Sequence, residues 1–226
     1  MIAANKVPVV TIDGPSGSGK GAVAAILAKQ LGFSLLDSGA LYRVLGIATL
    51  KANLELENHK AIKDLAHDMR VVFGLSGADS VELNGEDISL EIRTDIGSDR
   101  ASKIGAIPAA REALFQRQLD FRQAPGLVAD GRDMGTVVFP DAQLKIYLTA
   151  SPEERAQRRY KQLIGKGIGA ILVDLLRELK VRDQRDSERE ISPLKPAVDA
   201  FVIDTTSLSL EQVVEKVAKL AAQALA

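Results

Sequence analysis

The sequence has no cysteine and no tryptophan, few aromatic residues (4%) and no long apolar run. The lack of cysteine excludes disulfide bonds, zinc–thiolate sites and thiol nucleophiles. No apolar stretch approaches the roughly 18 residues of a membrane-spanning helix, and the N-terminal segment carries no signal-peptide pattern. These absences predict a soluble protein of the cytoplasm.

An excess of charge of one sign is also lacking, because 29 basic side chains stand against 30 acidic ones, for a net charge of −1. This balance gives no support for a protein that coats nucleic acid, although it allows a local basic pocket. The two histidines, His59 and His67, lie eight residues apart in a charged stretch, which is about 12 Å along a helix. We interpret them as solvent-facing residues.

What is present is an alternation of short apolar runs and helical periodicities over 226 residues. The run Val7–Ile12 is rich in β-branched residues, and Gly21–Leu31 repeats apolar residues at a helical spacing before Gly32. Later strands are predicted at Phe33–Leu36, Leu127–Ala129, Leu144–Leu148 and Phe201–Asp204. Strands separated by helices favour a parallel sheet covered by helices on both faces. We therefore predict an α/β fold in a single domain, 1–226.

A stretch with a different sequence pattern, at about 56–95, interrupts this alternation of strands and helices. It contains, in order, the short apolar runs and turn residues Val71–Phe73, Gly77, Asp79, Val81–Leu83 and Asn84-Gly85. Asn-Gly between short runs is a strong hairpin signal. We predict a small antiparallel insert here, followed by helical segments over about 98–122 with a break near Pro108.

The clearest chemical motif is the glycine-rich segment between the first predicted strand and helix. Gly14–Lys20, with the sequence GPSGSGK, fits the pattern GxxxxGK. Glycines let backbone N–H groups converge on phosphate oxygens, and the N-terminus of the following helix adds partial positive charge. Gly21 and Ala22 follow the lysine where the usual pattern has Ser or Thr, so Mg²⁺ would need other ligands. Ser18 and Asp130, which follows a predicted strand, are the candidates.

Arginines in later segments indicate what receives the phosphate. An acceptor that itself carries a phosphate needs its own binding groups in addition to the donor loop. The planar guanidinium group of arginine suits this, because its paired N–H donors bind two phosphate oxygens at once. The candidates are Arg43, Arg111, Arg132, Arg182, Arg185 and Arg189. The last three have the spacing of one helix face, where they could equally form a solvated salt-bridge ladder with Arg182 pairing Asp186. The loop alone allows an ATPase, a GTPase or a small-molecule kinase, but the guanine-reading Asn-Lys-x-Asp pattern does not occur.

Four sequence blocks, taken together and in order, resemble the bacterial cytidylate kinases. They are GPSGSGKG (14–21), LLDSGALYR (35–43), ADGRDMGTVVFPDA (129–142) and RDQRDSER (182–189). The resemblance extends over essentially the whole chain, and it implies a P-loop NTPase-type sheet with a nucleoside-monophosphate-binding insert at about 56–95 and a helical lid at about 155–170. It also implies ATP-dependent phosphorylation of CMP and dCMP to CDP and dCDP, with Mg²⁺, in cytoplasmic pyrimidine metabolism.

The resemblance also implies roles for individual residues. ATP contacts are implied for Gly14, Pro15, Ser16, Gly17, Ser18, Gly19, Lys20, Gly21, Ala22, Arg158 and Arg159. CMP contacts are implied for Ser38, Arg43, Ser102, Arg111, Arg132, Asp133, Arg182, Asp186 and Arg189. The expected catalytic residues are Lys20, Arg132, Arg182 and Arg189. Asp130 would hold Mg²⁺ through water. Ala22 departs from the Thr or Ser common in the family, which weakens an expected contact to a donor phosphate.

Two alternatives stay open at this point. One is a regulatory P-loop switch or nucleotide-binding module, and the other is a kinase for UMP, shikimate or another small acceptor. A coupled ADP-release assay with and without CMP distinguishes a cytidylate kinase from the first alternative. A panel of acceptors distinguishes it from the second. We expect a monomer that binds ATP and CMP or dCMP, and neither nucleic acid nor membrane.

Overall fold

The computed structural model describes residues 6–74, 80–165 and 167–226, so the predicted turn residues Gly77 and Asp79 lie outside the described residues. The strands are β1 (Val9–Asp13), β2 (Ser34–Asp37), β3 (Val71–Phe73), β4 (Val81–Leu83), β5 (Glu86–Asp87), β6 (Leu127–Gly131), β7 (Leu144–Thr149) and β8 (Phe201–Asp204). The α-helices are α1 (Lys20–Leu31), α2 (Ser38–Lys51), α3 (His59–Asp68), α4 (Asp95–Ile104), α5 (Pro108–Leu119), α6 (Pro152–Gly165), α7 (Leu172–Glu188) and α8 (Leu210–Ala224).

The chain divides into two compact units, of which the first comprises Met1–Asp37 and Leu119–Ala226. Its centre is a parallel five-stranded sheet in the order β2-β6-β1-β7-β8. The central strand β1 is buried along its whole length, and its apolar residues pack with α1 and α8 in one core. Parallel pairing of β1 with both β6 and β7 brings the carboxyl ends of these strands to one edge of the sheet. In open α/β sheets this edge is where ligands bind.

The second unit, Ser38–Gln118, has its own apolar core around α2, α3 and α4. It carries an antiparallel three-stranded sheet in the order β3-β4-β5. The turn between β4 and β5 is Asn84-Gly85, with φ angles of 54° and 88°, the positive values that a two-residue hairpin turn requires. The predicted hairpin is thus confirmed. The insert proposed at about 56–95 lies inside this unit, and its assignment as the substrate-binding region remains a prediction.

The fold class predicted from the sequence, a parallel sheet with helices and a small antiparallel sheet, is confirmed. Differences occur at the ends of elements. The helical segment begins at Asp95 because Thr94 caps it, its Oγ1 accepting from the N–H of Gly97 at 3.1 Å. A single π-helical turn at Met134–Val138 was not predicted. In the part of the chain that the structure describes, the helices are too short or too polar to cross a bilayer.

Candidate active site

The glycine-rich loop joins β1 to α1 at the carboxyl edge of the sheet. At Gly14 a Cβ atom would lie 2.0 Å from the carbonyl oxygen of Leu148 on β7, so only glycine allows the loop to pass this strand. The N-cap of α1 is Gly19, which has no side-chain cap, and the first turn has no acidic residue. The N–H groups of this helix end therefore lack side-chain acceptors, the arrangement that binds phosphate.

Lys20 begins α1 and is largely buried. Its Nζ lies 3.9 Å from Oδ1 of Asp130 and donates a hydrogen bond to the carbonyl of Pro15 at 3.3 Å. Burial, followed by the positive charge of Arg132, lowers the pKa of Lys20 to about 8. A buried cation next to a phosphate-binding helix end is suited to neutralising the charge of a nucleotide's phosphates.

Oxygen ligands for a divalent cation are available beside this lysine. Asp130 lies on β6 in register with Asp37 on β2, and a Cβ at Gly21 would lie 3.1 Å from Oδ2 of Asp130. Ser18 Oγ is buried and has no hydrogen-bond partner among the described residues. Hard oxygen ligands are those that Mg²⁺ prefers. The buried Ser18 hydroxyl and the Asp130 carboxylate are therefore oxygen groups that fit a divalent cation.

Two arginines and a carboxylate of the first unit form a connected group. Arg132 Nε donates to Oδ2 of Asp186 on α7 at 2.9 Å. Burial opposes ionisation of Asp186, but Arg132 and then Arg182 hold its pKa below the usual value. Arg182 Nη1 donates to Ser16 Oγ of the glycine-rich loop at 3.3 Å. The group therefore places guanidinium charge beside the loop that would hold the donor phosphates.

Arg189 lies just beyond the last residue of α7, as its C-cap, so its sharing of one helix face with Arg182 and Arg185 stays a prediction. Helix α7 ends at Glu188, and Arg189 has extended backbone with ψ 139°. The helix end is fixed by two contacts: Leu194 N–H donates to the carbonyl of Asp186 at 2.8 Å, and Arg189 Nε donates to the carbonyl of Ser192. The charges of both Arg182 and Arg189 act on Asp186, where they lower the pKa of its carboxyl group.

The arginines assigned to a lid make contacts with the protein in this structure. Arg158 donates through Nη2 to the carbonyl of Thr205 at 2.6 Å and through Nη1 to the carbonyl of Ser18 at 3.4 Å. Arg159 Nη1 donates to Gln162 at 3.0 Å. Arg158 is therefore already adjacent to the glycine-rich loop, whereas Arg159 contacts its own helix.

The second unit contains four of the expected substrate contacts, whereas Asp133 lies in the first unit and is buried. Ser38, the first residue of α2, donates from Oγ to Oε1 of Gln118 at 2.7 Å, and both residues are buried. Arg43 lies one and a half turns further along α2 and is half-buried. Arg111 of α5 lies with its guanidinium carbon 5.7 Å from the ring centre of Tyr42. The fourth residue, Ser102, is buried on α4, which packs against α2.

A model of the family described as "Cytidylate kinase" matches residues 10–223. The chain belongs to the cytidylate kinase family. A cytidylate kinase of Pseudomonas fluorescens is 55% identical over 217 residues, which are 94% of this chain and 94% of that protein. One of Shewanella amazonensis is 57% identical over 212 residues, 92% of this chain and 91% of that protein. Among solved structures, TT1252 from Thermus thermophilus has a TM-score of 0.50 at 18% identity, covering 98% of this chain and 100% of that one. At that identity the likeness supports the fold alone.

Several residues around the site of this cytidylate kinase family member were not singled out for function from the sequence. Tyr42 lies inside the motif LLDSGALYR, so the motif could have indicated it. Gln118 and Asp183 have no such signal, because their partners lie 80 and 28 residues away in the chain.

Arg155 was assigned to the lid region, but its surroundings are those of a fixed residue. It is 3% exposed and donates to Asp183 through both terminal nitrogens, at 3.1 and 2.5 Å. It also donates to the carbonyls of Ser16 and Ala150, each at 3.0 Å. Arg155 thus ties the start of α6 to α7 and to the glycine-rich loop.

Proposed function

We propose that this protein transfers the γ-phosphoryl group of ATP to CMP and dCMP, giving CDP and dCDP. The observation that carries the proposal is the match of the cytidylate kinase family model to residues 10–223. The glycine-rich loop, with Lys20 buried at its end, is consistent with ATP as donor. The residues that the family resemblance assigns to the acceptor include members of the first unit, such as Arg132, and of the second unit, such as Arg111.

For the donor, we assign ATP to the helix end and to the loop residues. The proposed contacts are Gly14, Pro15, Ser16, Gly17, Ser18, Gly19, Lys20, Gly21, Ala22, Arg158 and Arg159. Backbone N–H groups of the loop would bind the phosphate oxygens, and Lys20 would neutralise charge that develops between the β- and γ-phosphates. Arg158 already contacts the loop carbonyl of Ser18, which supports its assignment to the donor site.

For the acceptor, we assign phosphate, sugar and base contacts to different residues. The proposed set is Ser38, Arg43, Ser102, Arg111, Arg132, Asp133, Arg182, Asp186 and Arg189. Arginines bind a phosphate with paired N–H donors. Ser102, Arg111 and Asp133 would contact cytosine, while Arg182 and Asp186 would contact the sugar. The phosphate of CMP is ionised near neutral pH, so the reaction needs alignment and positive charge rather than a strong general base.

Mg²⁺ is proposed as the metal that accompanies ATP, with Ser18 and, through water, Asp130 as the residues that would hold it. When bound, the ion would supply positive charge that neutralises charge on the transferred group. The protein's own part is to keep Lys20, 3.9 Å from the Asp130 carboxylate, in contact with the same phosphates. We further propose a monomeric protein of the cytoplasm that does not use nucleic acid as a partner.

Ala22 gives a direct test of the metal and donor contacts. It lies exposed in the first turn of α1, next to Gly21. Replacement by threonine restores a hydroxyl near the proposed phosphate site. We expect Ala22→Thr to lower the concentration of ATP or of Mg²⁺ needed for half-maximal rate, with little change in melting temperature. Titrations of each against initial rate measure the effect, and overlapping curves would mean that a hydroxyl at this position is irrelevant here.

Arg182 and Arg189 test the acceptor site. If they bind substrate, methionine at either position should lower kcat and raise the KM for CMP while leaving the melting temperature nearly unchanged. If they only form surface ion pairs, each change should cost about 0.3–0.5 kcal/mol of stability and leave the kinetics intact. Arg177, an exposed arginine of the same helix that pairs with Asp174, provides the matched control as Arg177→Met.

A panel of acceptors with ATP as donor tests the proposed function as a whole. Coupled ADP release should depend on CMP or dCMP and proceed poorly with UMP, AMP, GMP and shikimate. Release of ADP at the same rate without any acceptor would instead indicate an ATPase. Efficient use of UMP or shikimate would keep the enzyme class and change the substrate.

A further inference from the structure

Arg155, in the first turn of α6, joins three separate segments of the first unit. Its Nε donates to the carbonyl of Ala150, directly after β7, at 3.0 Å, and its Nη1 donates to the carbonyl of Ser16 in the glycine-rich loop at 3.0 Å. Both terminal nitrogens donate to the carboxylate of Asp183 on α7, at 3.1 and 2.5 Å. Because a planar guanidinium presents its N–H donors in fixed directions, these contacts hold the three segments in one arrangement.

The bond to Ser16 fixes the direction of a backbone N–H group in the glycine-rich loop. The carbonyl of Ser16 and the N–H of Gly17 belong to one planar trans peptide unit, so they point in opposite directions. Since the carbonyl points to Arg155, the N–H of Gly17 points away from α6. The loop passes α6 closely, because a Cβ at Gly17 would lie 3.0 Å from the Cβ of Arg155. A loop that binds phosphate through its N–H groups benefits when their directions are fixed before the nucleotide binds.

Asp183 connects the same arginine to the helix that carries proposed acceptor contacts. It directly follows Arg182 on α7. Arg182 Nη1 donates to Ser16 Oγ at 3.3 Å. Ser16 is therefore linked to α7 twice, directly through its hydroxyl group and, through Arg155 and Asp183, by its carbonyl group. A shift of α7 relative to the loop would strain both links.

We infer that Arg155 is a positioning residue for phosphoryl transfer, which together with Asp183 holds the donor loop against α7 and so sets the alignment of the two substrates. Arg155 is 3% exposed, so it acts through Ser16 and α7 rather than by contact with a substrate. The inference rests on the proposed function, which assigns ATP to the loop and CMP to Arg182. Transfer between two bound substrates tolerates little misalignment, since a displacement of about 1 Å can lower the rate about a hundredfold.

A buried ion pair does not by itself indicate a role in stability. Taking two charges out of water is costly, so apolar side chains of similar volume often give equal or greater stability. The side chains of Arg155 and Asp183 are 3% and 25% exposed. An apolar pair at these positions would lack the donors that bind the carbonyl groups of Ser16 and Ala150. A purely structural pair should therefore be replaceable by apolar residues without loss of activity, whereas a positioning pair should not.

The double variant Arg155→Met with Asp183→Leu is the test. It should melt at a higher temperature than the single variant Asp183→Leu, in which the buried guanidinium has lost its carboxylate partner. With saturating ATP and CMP, kcat of the double variant should nevertheless be about a hundredfold below wild type, because the loop and α7 are no longer aligned. The KM values for ATP and CMP should change far less than kcat, since the proposed substrate contacts are all retained.

Arg155→Lys gives a second readout that needs no substrate. Lysine keeps a positive charge beside Asp183, but it lacks the planar fork and cannot bind the carboxylate and the carbonyl of Ser16 in the same arrangement. Amide hydrogen exchange across 14–19, measured without nucleotide, should be faster than in wild type, whereas exchange across α8 should be unchanged. The kcat of this variant should fall as in the double variant.

Arg122→Met is the matched control, because Arg122 makes the same kinds of contact near the amino end of β1. Its Nε donates to the carbonyl of Val7 at 2.8 Å, and its Nη1 donates to both carboxylate oxygens of Asp141, at 3.2 and 2.9 Å. The control should lower the melting temperature and leave kcat unchanged.

Recovery of kcat together with the melting temperature in the double variant would overturn the inference. Failure of both the double variant and Arg155→Lys to fold would equally overturn it, since the pair would then be a requirement of the fold. Absence of CMP-dependent ADP release in wild type would mean that the proposed function fails and the inference with it. Failure of the inference alone leaves that wild-type activity intact.

Discussion

Replacement of Lys20 by alanine is expected to lower kcat by about 10²–10³, since loss of one preorganised charged contact to a transition state costs roughly 3–4 kcal/mol. The fold should persist, because among the described residues the ammonium group makes one 3.3 Å hydrogen bond, to Pro15, and a 3.9 Å contact with Asp130. Steady-state kinetics with saturating ATP and CMP measure the loss. A folded Lys20→Ala protein with near-normal turnover would contradict the role of Lys20.

The stability of a second variant at this position, Lys20→Met, gives an independent check. The pKa of Lys20 is lowered from 10.5 to about 8 by burial and by Arg132, so the folded state binds the proton less strongly than the unfolded chain does. The charged lysine therefore costs stability below about pH 8, and this cost fades as pH rises towards 10.5. We expect Lys20→Met to melt at a higher temperature than wild type at pH 7. The control is Lys29→Ala, at an exposed lysine of the same helix, which should change neither kcat nor this trend.

Asp133→Ala is expected to reduce or abolish the preference for CMP over UMP. Cytosine offers an N4 amino donor that a carboxylate accepts, whereas uracil presents an oxygen at the same position. A buried carboxylate facing that oxygen would be repelled and left unpaired. Sites built on such hydrogen bonds discriminate by about 10⁴ or more. Asp133 is 3% exposed, so the penalty for UMP in the wild-type protein should be large. Removal of the Asp133 carboxylate should mainly damage the use of CMP.

The measurement is kcat/KM for CMP and for UMP in wild type and variant. Asp141→Ala serves as control because Asp141 belongs to the same sequence block but is exposed and pairs with Lys6 and Arg122. Equal loss for both nucleotides in Asp133→Ala would mean that Asp133 only orients its loop. In that case the base would be recognised by other residues, with Arg111 and Ser102 the first to test.

Local signals in the sequence were sufficient for most of the fold. The β-branched run at Val7–Ile12 and the glycine loop after it predicted β1 and α1 to within two residues. Asn84-Gly85 predicted a hairpin because only a few residue types adopt the φ angles of that turn. The π-helical turn at Met134–Val138 could not be predicted in this way, since its first N–H groups are bound by a residue from another strand.

The residues of the candidate site divide in the same way, into those with a local sequence signal and those whose position depends on residues distant in the chain. Lys20 was predictable because loop, lysine and helix are contiguous in the chain. The end of α7 was not, because the helical pattern continues through Arg189 and the helix is stopped by Leu194 bonding back to Asp186. Arg155 resembled its neighbours Arg158 and Arg159 in sequence. Only the structure distinguishes it, since its partner Asp183 lies 28 residues further along the chain.

The strand order has a consequence for how the chain folds during synthesis. β1 and β2 are consecutive in sequence but are separated in the sheet by β6, which pairs with both of them. They emerge from the ribosome long before β6, at Leu127–Gly131, a delay of roughly 5–20 s at ordinary rates of translation. The second unit, Ser38–Gln118, is complete before β6 appears. The nascent chain must therefore keep two apolar strands unpaired while an entire unit with its own core is made between them.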